Sequence, residues 1–162
     1  MKRTWISISL LALVAGFAIW WFSPTQVVKR RTMSLLETLT LEPGGSPASR
    51  QMGTYALNDL LASEVELETS TIDEASGTFA RAELESVFSW LCNQAKQMNF
   101  EMQRIDSVTV SGEVADVSCV LKGLVELPNY RPADGIYQAK FKWRLVDDKW
   151  RIERAVWAQV KR

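Results

Sequence analysis

The chain of 162 residues contains no histidine and two cysteines, Cys92 and Cys119. Without an imidazole there is no Ser-His-Asp or Cys-His nucleophile system, no His-ligated haem and no His-containing zinc site. Two thiolates are too few for a four-cysteine zinc site or an iron–sulfur cluster, so neither a metal nor a cofactor is expected. Cys92 falls at the margin of a helical apolar stripe. Cys119 falls on the inward face of a strand that this helix should cover. The two form either a disulfide, which an extracytoplasmic location would permit, or a pair of small buried hydrophobes. Neither is a nucleophile, since nothing is present to make the thiolate.

The remaining candidates are charged. Glu64, Glu66 and Glu68 alternate with Val65 and Leu67, the pattern of a strand with one solvated face. Lys140, Lys142 and Arg144 alternate with Phe141 and Trp143. A period of two puts these cations on one surface, where with Arg151 their fields add. That basic sheet face is a candidate docking surface for an acidic partner or for an acidic stretch of a second copy. Asp59 to Glu85 is such a stretch, rich in Asp and Glu with Arg81 as its one base. Arg154 stands apart. It falls on the apolar face opposite Phe141, where a guanidinium must meet a carboxylate, stack on a ring or receive an anionic ligand. A bulge that turns Ala155 and Trp157 inward would instead release it. With 19 basic and 19 acidic residues the net charge is zero, which argues against nucleic acid as a partner.

The elements that must position these residues can be read from periodicity. Ser23-Pro24-Thr25-Gln26 predicts a capped helix start, continued by Val28, Leu35, Leu36 and Leu39 and stopped before Pro43-Gly44-Gly45. A second helix is expected from about Pro47 to Ala62, with Met52, Tyr55, Ala56 and Leu60 on one side. Glu64–Glu68 is a short strand, followed by a loop through Gly77. A third helix, about Ala80 to Met98, shows an apolar stripe through Leu84, Val87, Phe88, Leu91, Ala95 and Met98. After it the period switches to two. Phe100–Val110 and a long strand through Ala115, Val117, Cys119 and Leu121 come first, with a bulge or bend expected at Gly123. In the closing hairpin a turn at Asp147-Asp148 sets Leu145 opposite Trp150, Trp143 opposite Ile152 and Ala139 opposite Val156. The class is α+β, with three helices packed on one face of a curved antiparallel sheet.

Ahead of this domain, Lys2 and Arg3 precede an uncharged run from Ile6 to Phe22 that is just long enough to span a bilayer. Residues 1–23 therefore read as a membrane anchor and 24–162 as the domain. A cleaved signal ending near Gly16-Phe17-Ala18, or a merely buried hydrophobic helix, are the alternatives. Trp20 and Trp21 fit an interfacial belt at the end of a retained helix. A basic leader before an apolar run places the N-terminus inside and the domain outside the cytoplasm.

Leu60-Leu61-Ala62-Ser63-Glu64-Val65-Glu66-Leu67 and Trp143-Arg144-Leu145-Val146-Asp147-Asp148-Lys149-Trp150-Arg151-Ile152 carry a resemblance. They resemble the helix-to-strand passage and closing hairpin of the cone-shaped fold shared by nuclear transport factor 2, ketosteroid isomerase and scytalone dehydratase. The resemblance implies a general base near Glu68 or Thr69, with Thr69 at the position itself, and an oxyanion-stabilising Tyr for which Tyr55 is the one candidate. It also implies self-association through the sheet face. A single N-terminal span joined to such a domain is similar to the inner-membrane subunit of type IV secretion assemblies. The expected function is a membrane-tethered, extracytoplasmic, non-catalytic binding module of a bacterial-type inner membrane, with a small-molecule isomerase or dehydratase as the alternative.

Overall fold

A computed structural model describes residues 13–14, 16–44, 47–69 and 76–160. Residues 6–12 and 15 of the expected span lie outside them. Among the described residues no helix is long and apolar enough to cross a membrane. Residues 16–21 are helical, with Phe17, Ile19 and Trp20 exposed. Trp21 is clamped from the far side of the break at Phe22-Ser23. The Arg30 guanidinium lies 4.5 Å from its ring centre and donates to its carbonyl at 2.9 Å.

The first domain helix, α1 (Pro24–Leu39), buries Val28, Thr32, Leu35 and Leu36. Its expected capping box is not formed: the Ser23 side chain makes no capping bond. Pro24 at the first position has no N–H to satisfy, which lowers the need for one. Helix α2 (Pro47–Leu60) is rolled away from the expected face. Met52 and Tyr55 are more than two-thirds exposed, while Leu57 and Leu60 are buried. At Gly53 the α2 backbone lies close to the Phe88 ring and the Thr38 carbonyl.

Strand β1 (Leu61–Thr69) begins with no loop after α2. The junction is held by Arg151, whose Nη1 donates to the carbonyls of Asn58, Asp59 and Leu61 at 3.2–3.5 Å, satisfying groups that a helix end leaves open. The end of the expected loop is a short strand, β2 (Gly77–Ala80), paired with β1. Helix α3 (Arg81–Gln94) is shorter than the periodicity implied. Ala95 and Met98 are buried beyond its end, and Met98 already pairs with Leu41. Val87, expected inside, is half exposed.

The sheet is completed by β3 (Gln97–Ser111), β4 (Val114–Glu126), β5 (Ala133–Val146) and β6 (Lys149–Gln159), in the order β2-β1-β6-β5-β4-β3. It is mixed rather than antiparallel, because β1 runs parallel to β6. The β5–β6 turn has positive φ at Asp147 and Asp148, 50° and 59°. That is the geometry whose twist matches two antiparallel strands, and Asp tolerates it. Leu145 then faces Trp150 and Trp143 faces Ile152, as expected. Beyond them the register shifts, so that Ala139 faces Trp157 and not Val156. No bulge occurs at Gly123, which pairs regularly with Phe100 and Gly135. A side chain there would press on the Tyr137 and Phe100 rings, at 3.3 and 3.4 Å. The irregularities lie instead in β3, between Met102 and Arg104 and between Ile105 and Ser107.

Helices and sheet enclose one core. Trp143 is fully buried, in one core cluster with Val28, Val65, Val117, Phe141 and Ile152 among others. Truncation of Trp143 to Ala should cost about 3–5 kcal/mol, whereas Lys142→Ala on the other face should stay within about 0.5 kcal/mol. Equal costs in urea melts would show the register to be wrong. A second test concerns Asp59, which receives Arg31 at 2.9 Å and Lys149 at 2.7 Å and so ties α1, α2 and β6. Hydrogen bonds from Lys149 and then Arg31 hold its pKa down at about 2. The folded state thus favours the carboxylate: this stability is complete above about pH 4 and lost as pH falls toward 2. Solvent screening at this half-exposed site keeps it below about 1 kcal/mol. Asp59→Asn should lower the urea midpoint at neutral pH and leave it unchanged near pH 2.

Candidate functional site

The inner face of the sheet is where a cone-shaped domain would hold a ligand. Here β1 contributes Val65 and Leu67, β6 contributes Ala155 and Trp157, and β5 contributes Ala139, Phe141 and Trp143. Thr69 lies on the same face beside Trp157 and is 6% exposed. The position that the resemblance gives to a general base is therefore filled by a hydroxyl. Among the described residues the only buried polar side chains are Thr32 and Thr69, and no charged side chain is buried. Thr32 donates to the Val28 carbonyl one helical turn back. The Trp143 indole N–H is buried without a hydrogen-bond partner.

Glu68 and Tyr55 are not brought together. Glu68 sits on the opposite face of β1, half exposed, with its carboxylate 2.6 Å from Arg154 Nη2. Tyr55 stands 72% exposed on the outer side of α2. Neither reaches the interior.

Arg154 takes the bulge alternative. Lys142 pairs with Arg154 and Trp143 with Ile152, which leaves Glu153 as the extra residue of β6. Ala155 turns inward and Arg154 outward, between Glu68 and, at 3.4 Å, Glu66. Its pKa is raised above the ordinary guanidinium value, first by the Glu68 hydrogen bond and then by the Glu66 charge. Glu153 is engaged by both flanking bases of β5. Arg144 donates through Nε at 2.5 Å and Nη2 at 3.3 Å, and Lys142 Nζ lies 3.3 Å away. Burial pushes the Glu153 carboxyl up, but the Arg144 and Lys142 hydrogen bonds and charges together outweigh it and leave it below its ordinary value.

The expected basic face is thus a mosaic. Lys142, Arg144 and Arg154 are each answered by a carboxylate, and Arg151 serves the α2–β1 junction. Lys140, exposed in the next row, has no ion pair among the described residues. A shallow polar recess of about 290 Å³ lies between Glu64, Glu66, Thr78, Lys142, Glu153 and Arg154. Sequence reading missed Glu153. The available signal was the spacing Trp150, Ile152, Ala155, Trp157, in which one step of three interrupts steps of two.

No protein-family model matches the chain, and no curated protein does. Solved structures do match over most of its length. A candidate dehydratase of the nuclear transport factor 2-like family from Streptomyces avermitilis superposes with a TM-score of 0.63 at 14% identity, covering 85% of this chain and 96% of that one. A nuclear transport factor 2-like superfamily protein from Salmonella enterica serovar Typhimurium gives 0.65 at 9%, covering 85% and 92%. The fold is nuclear transport factor 2-like. A ketosteroid isomerase-like protein from Erwinia carotovora atroseptica belongs to the same set, at 0.60 and 14% identity over 87% and 99%. At these identities the likeness shows the fold alone, and different activities share it.

Within this nuclear transport factor 2-like domain the second of the two cysteine alternatives is found: Cys92 on α3 and Cys119 on β4 are each buried and unbridged to one another. Burial, and then the Asp106 charge, push the Cys119 thiol up to about 11. A buried neutral thiol is a small hydrophobe and a poor nucleophile. Both cysteines should resist a thiol-reactive reagent at mildly alkaline pH in the native protein. Both should react in urea without reductant. Silence in urea would restore the disulfide.

Proposed function

We propose that the chain is a non-catalytic binding module, held at a bacterial-type inner membrane by residues 6–22 with its nuclear transport factor 2-like domain outside the cytoplasm. One observation carries the non-catalytic part. The face where this fold would place acid–base groups is packed with Trp143, Phe141, Ala155 and neighbours and carries Thr69 at the base position. Thr69 has no carboxylate to take up a proton near neutral pH. The anchor reading is supported by the uncharged run before Ser23 and by the exposed aromatic turn at its end, where Phe17, Trp20 and Trp21 cluster within 5.7–6.2 Å of one another. The contact surface for an acidic partner or a second copy is the outer sheet face around Lys140, within a membrane assembly.

An enzyme is the second reading, favoured by the candidate dehydratase among its structural neighbours. The two part on measurement. Reversal of Lys140 and Lys142 to Glu should weaken self-association or partner capture by the full chain in detergent, as read by sedimentation at low and high salt, and Lys140→Glu alone, which leaves the Lys142–Glu153 pair in place, should do so with the melting curve almost unchanged. Unaltered association would remove the sheet face as the contact. Protease added from the periplasmic side should digest the domain while membranes stay sealed, and protection would reverse the orientation. Loss of a measurable isomerisation or dehydration in Glu68→Gln or Thr69→Val would transfer the protein to the enzyme class.

A further inference from the structure

Strand β3 is one of the two edge strands of the sheet, opposite β2, and such edges are usually covered or distorted to prevent pairing with another chain. Both devices occur here, and they leave a gap. At the start of β3, Leu41 exchanges both main-chain bonds with Met98, at 2.6 and 3.0 Å, and Thr40 Oγ1 accepts from the Phe100 N–H at 3.2 Å. Past Met102 the strand is kinked by its two bulges, with an Arg104–Asp106 ion pair at 2.6 Å between them. Met98 pairs outward, so alternation along the strand turns the Phe100 carbonyl and the Met102 N–H and carbonyl outward as well. Among the described residues none of these outward groups has a main-chain partner outside the sheet ladder.

A groove of about 580 Å³ runs along this same interval, between the end of α1 and β3. It is lined by four consecutive residues, Asn99 to Met102, so it follows the strand's backbone edge rather than one face. Its floor is apolar, from Met33, Leu36, Leu41, Phe100 and Met102. Its rim carries Glu37, Glu42 and Glu101. None of the three makes an ion pair among the described residues. Lys122 faces Glu101 across the ladder, yet no ion pair joins them.

We infer that this interval is a strand-addition site for an extended segment of a partner protein in which lysine or arginine alternates with apolar residues. The open main-chain groups would pair with its backbone, the floor would take its apolar side chains, and the acidic rim would select its cations. A small cation or a lipid would leave the row of main-chain groups unused. The chain's own basic-apolar alternating segment is β5, which is paired on both sides and so is not available from a second copy. This site is distinct from the outer sheet face and does not depend on it.

The test uses the full-length chain in nonionic detergent and a fluorescein-labelled hexapeptide alternating lysine and valine. Fluorescence anisotropy should show saturable binding, and peptide should slow hydrogen exchange at the Met102 amide. The triple variant Glu37→Gln, Glu42→Gln, Glu101→Gln should bind about ten-fold more weakly at low salt, the equivalent of about 1.4 kcal/mol shared by three rim charges. A peptide of the same charge with alternate amides N-methylated should not bind, since it cannot extend the ladder. Equal binding of the N-methylated peptide, equal binding by the triple variant, or no protection at Met102 would each overturn the assignment. All three substitutions of that variant are at exposed carboxylates, and an unchanged melting curve will show that the fold is intact.

Discussion

Glu153 has no partner of its own in the β5–β6 ladder, and both faces of the sheet depend on that extra residue. Without it, strict alternation from Ile152 would drive the Arg154 guanidinium into the core beside Phe141 and put Ala155 outside. An unpaired guanidinium in an apolar interior costs several kcal/mol. With the bulge, Ala155 and Trp157 complete the inner face, and Arg154 crosses to β1 to meet Glu66 and Glu68. The same residue supplies the carboxylate that Arg144 and Lys142 require. One local irregularity therefore joins β1, β5 and β6 by charge on one side and by packing on the other.

The second constraint is the direct passage from α2 into β1. A helix that ends where a strand begins leaves its last carbonyls exposed, and Arg151 answers them from the neighbouring strand. Asp59, in the last turn of α2, binds Arg31 from α1 and Lys149 from β6. These contacts fix where α2 lies over the sheet, and with it α3, which packs on α2 through Phe88 and Gly53. The interior that results carries Trp143, Phe141 and Ala155 in one buried core.

Periodicity made the architecture legible where one face was buried and the other wet. The β5–β6 turn and the first pairs beyond it could be registered because two Asp residues tolerate positive φ and the flanking apolar residues agreed. The bulge was visible only as an alternative, since a single charged residue on an apolar face has several remedies. The helices were read less well. Met52, Tyr55 and Val87 fit an apolar stripe but lie outside, while α2 meets Phe88 at Gly53, a residue that adds nothing to a hydrophobic pattern. Tyr55 stands on that exposed side, away from the interior. Glu68 was lost because a strand's alternation turned it away from the interior, as the strand pattern itself had implied. The groove at β3 was illegible in sequence: it is made by the meeting of the α1 end, Leu41 and an edge strand far along the chain.

The clamp of Arg30 on Trp21 bears on how the domain is presented. A loose tether lets a module sweep a volume and meet partners in any heading, at an effective concentration set by tether length. Here the last aromatic turn before Ser23 is pinned by its carbonyl and its ring to the second turn of α1. Whatever grips the residues before Trp21 therefore also sets the heading of α1, and through Arg31 and Asp59 that of α2 and β6. The helical turn at 16–21 and the domain are thereby joined by more than the chain itself, through one guanidinium that grips both a ring and a carbonyl.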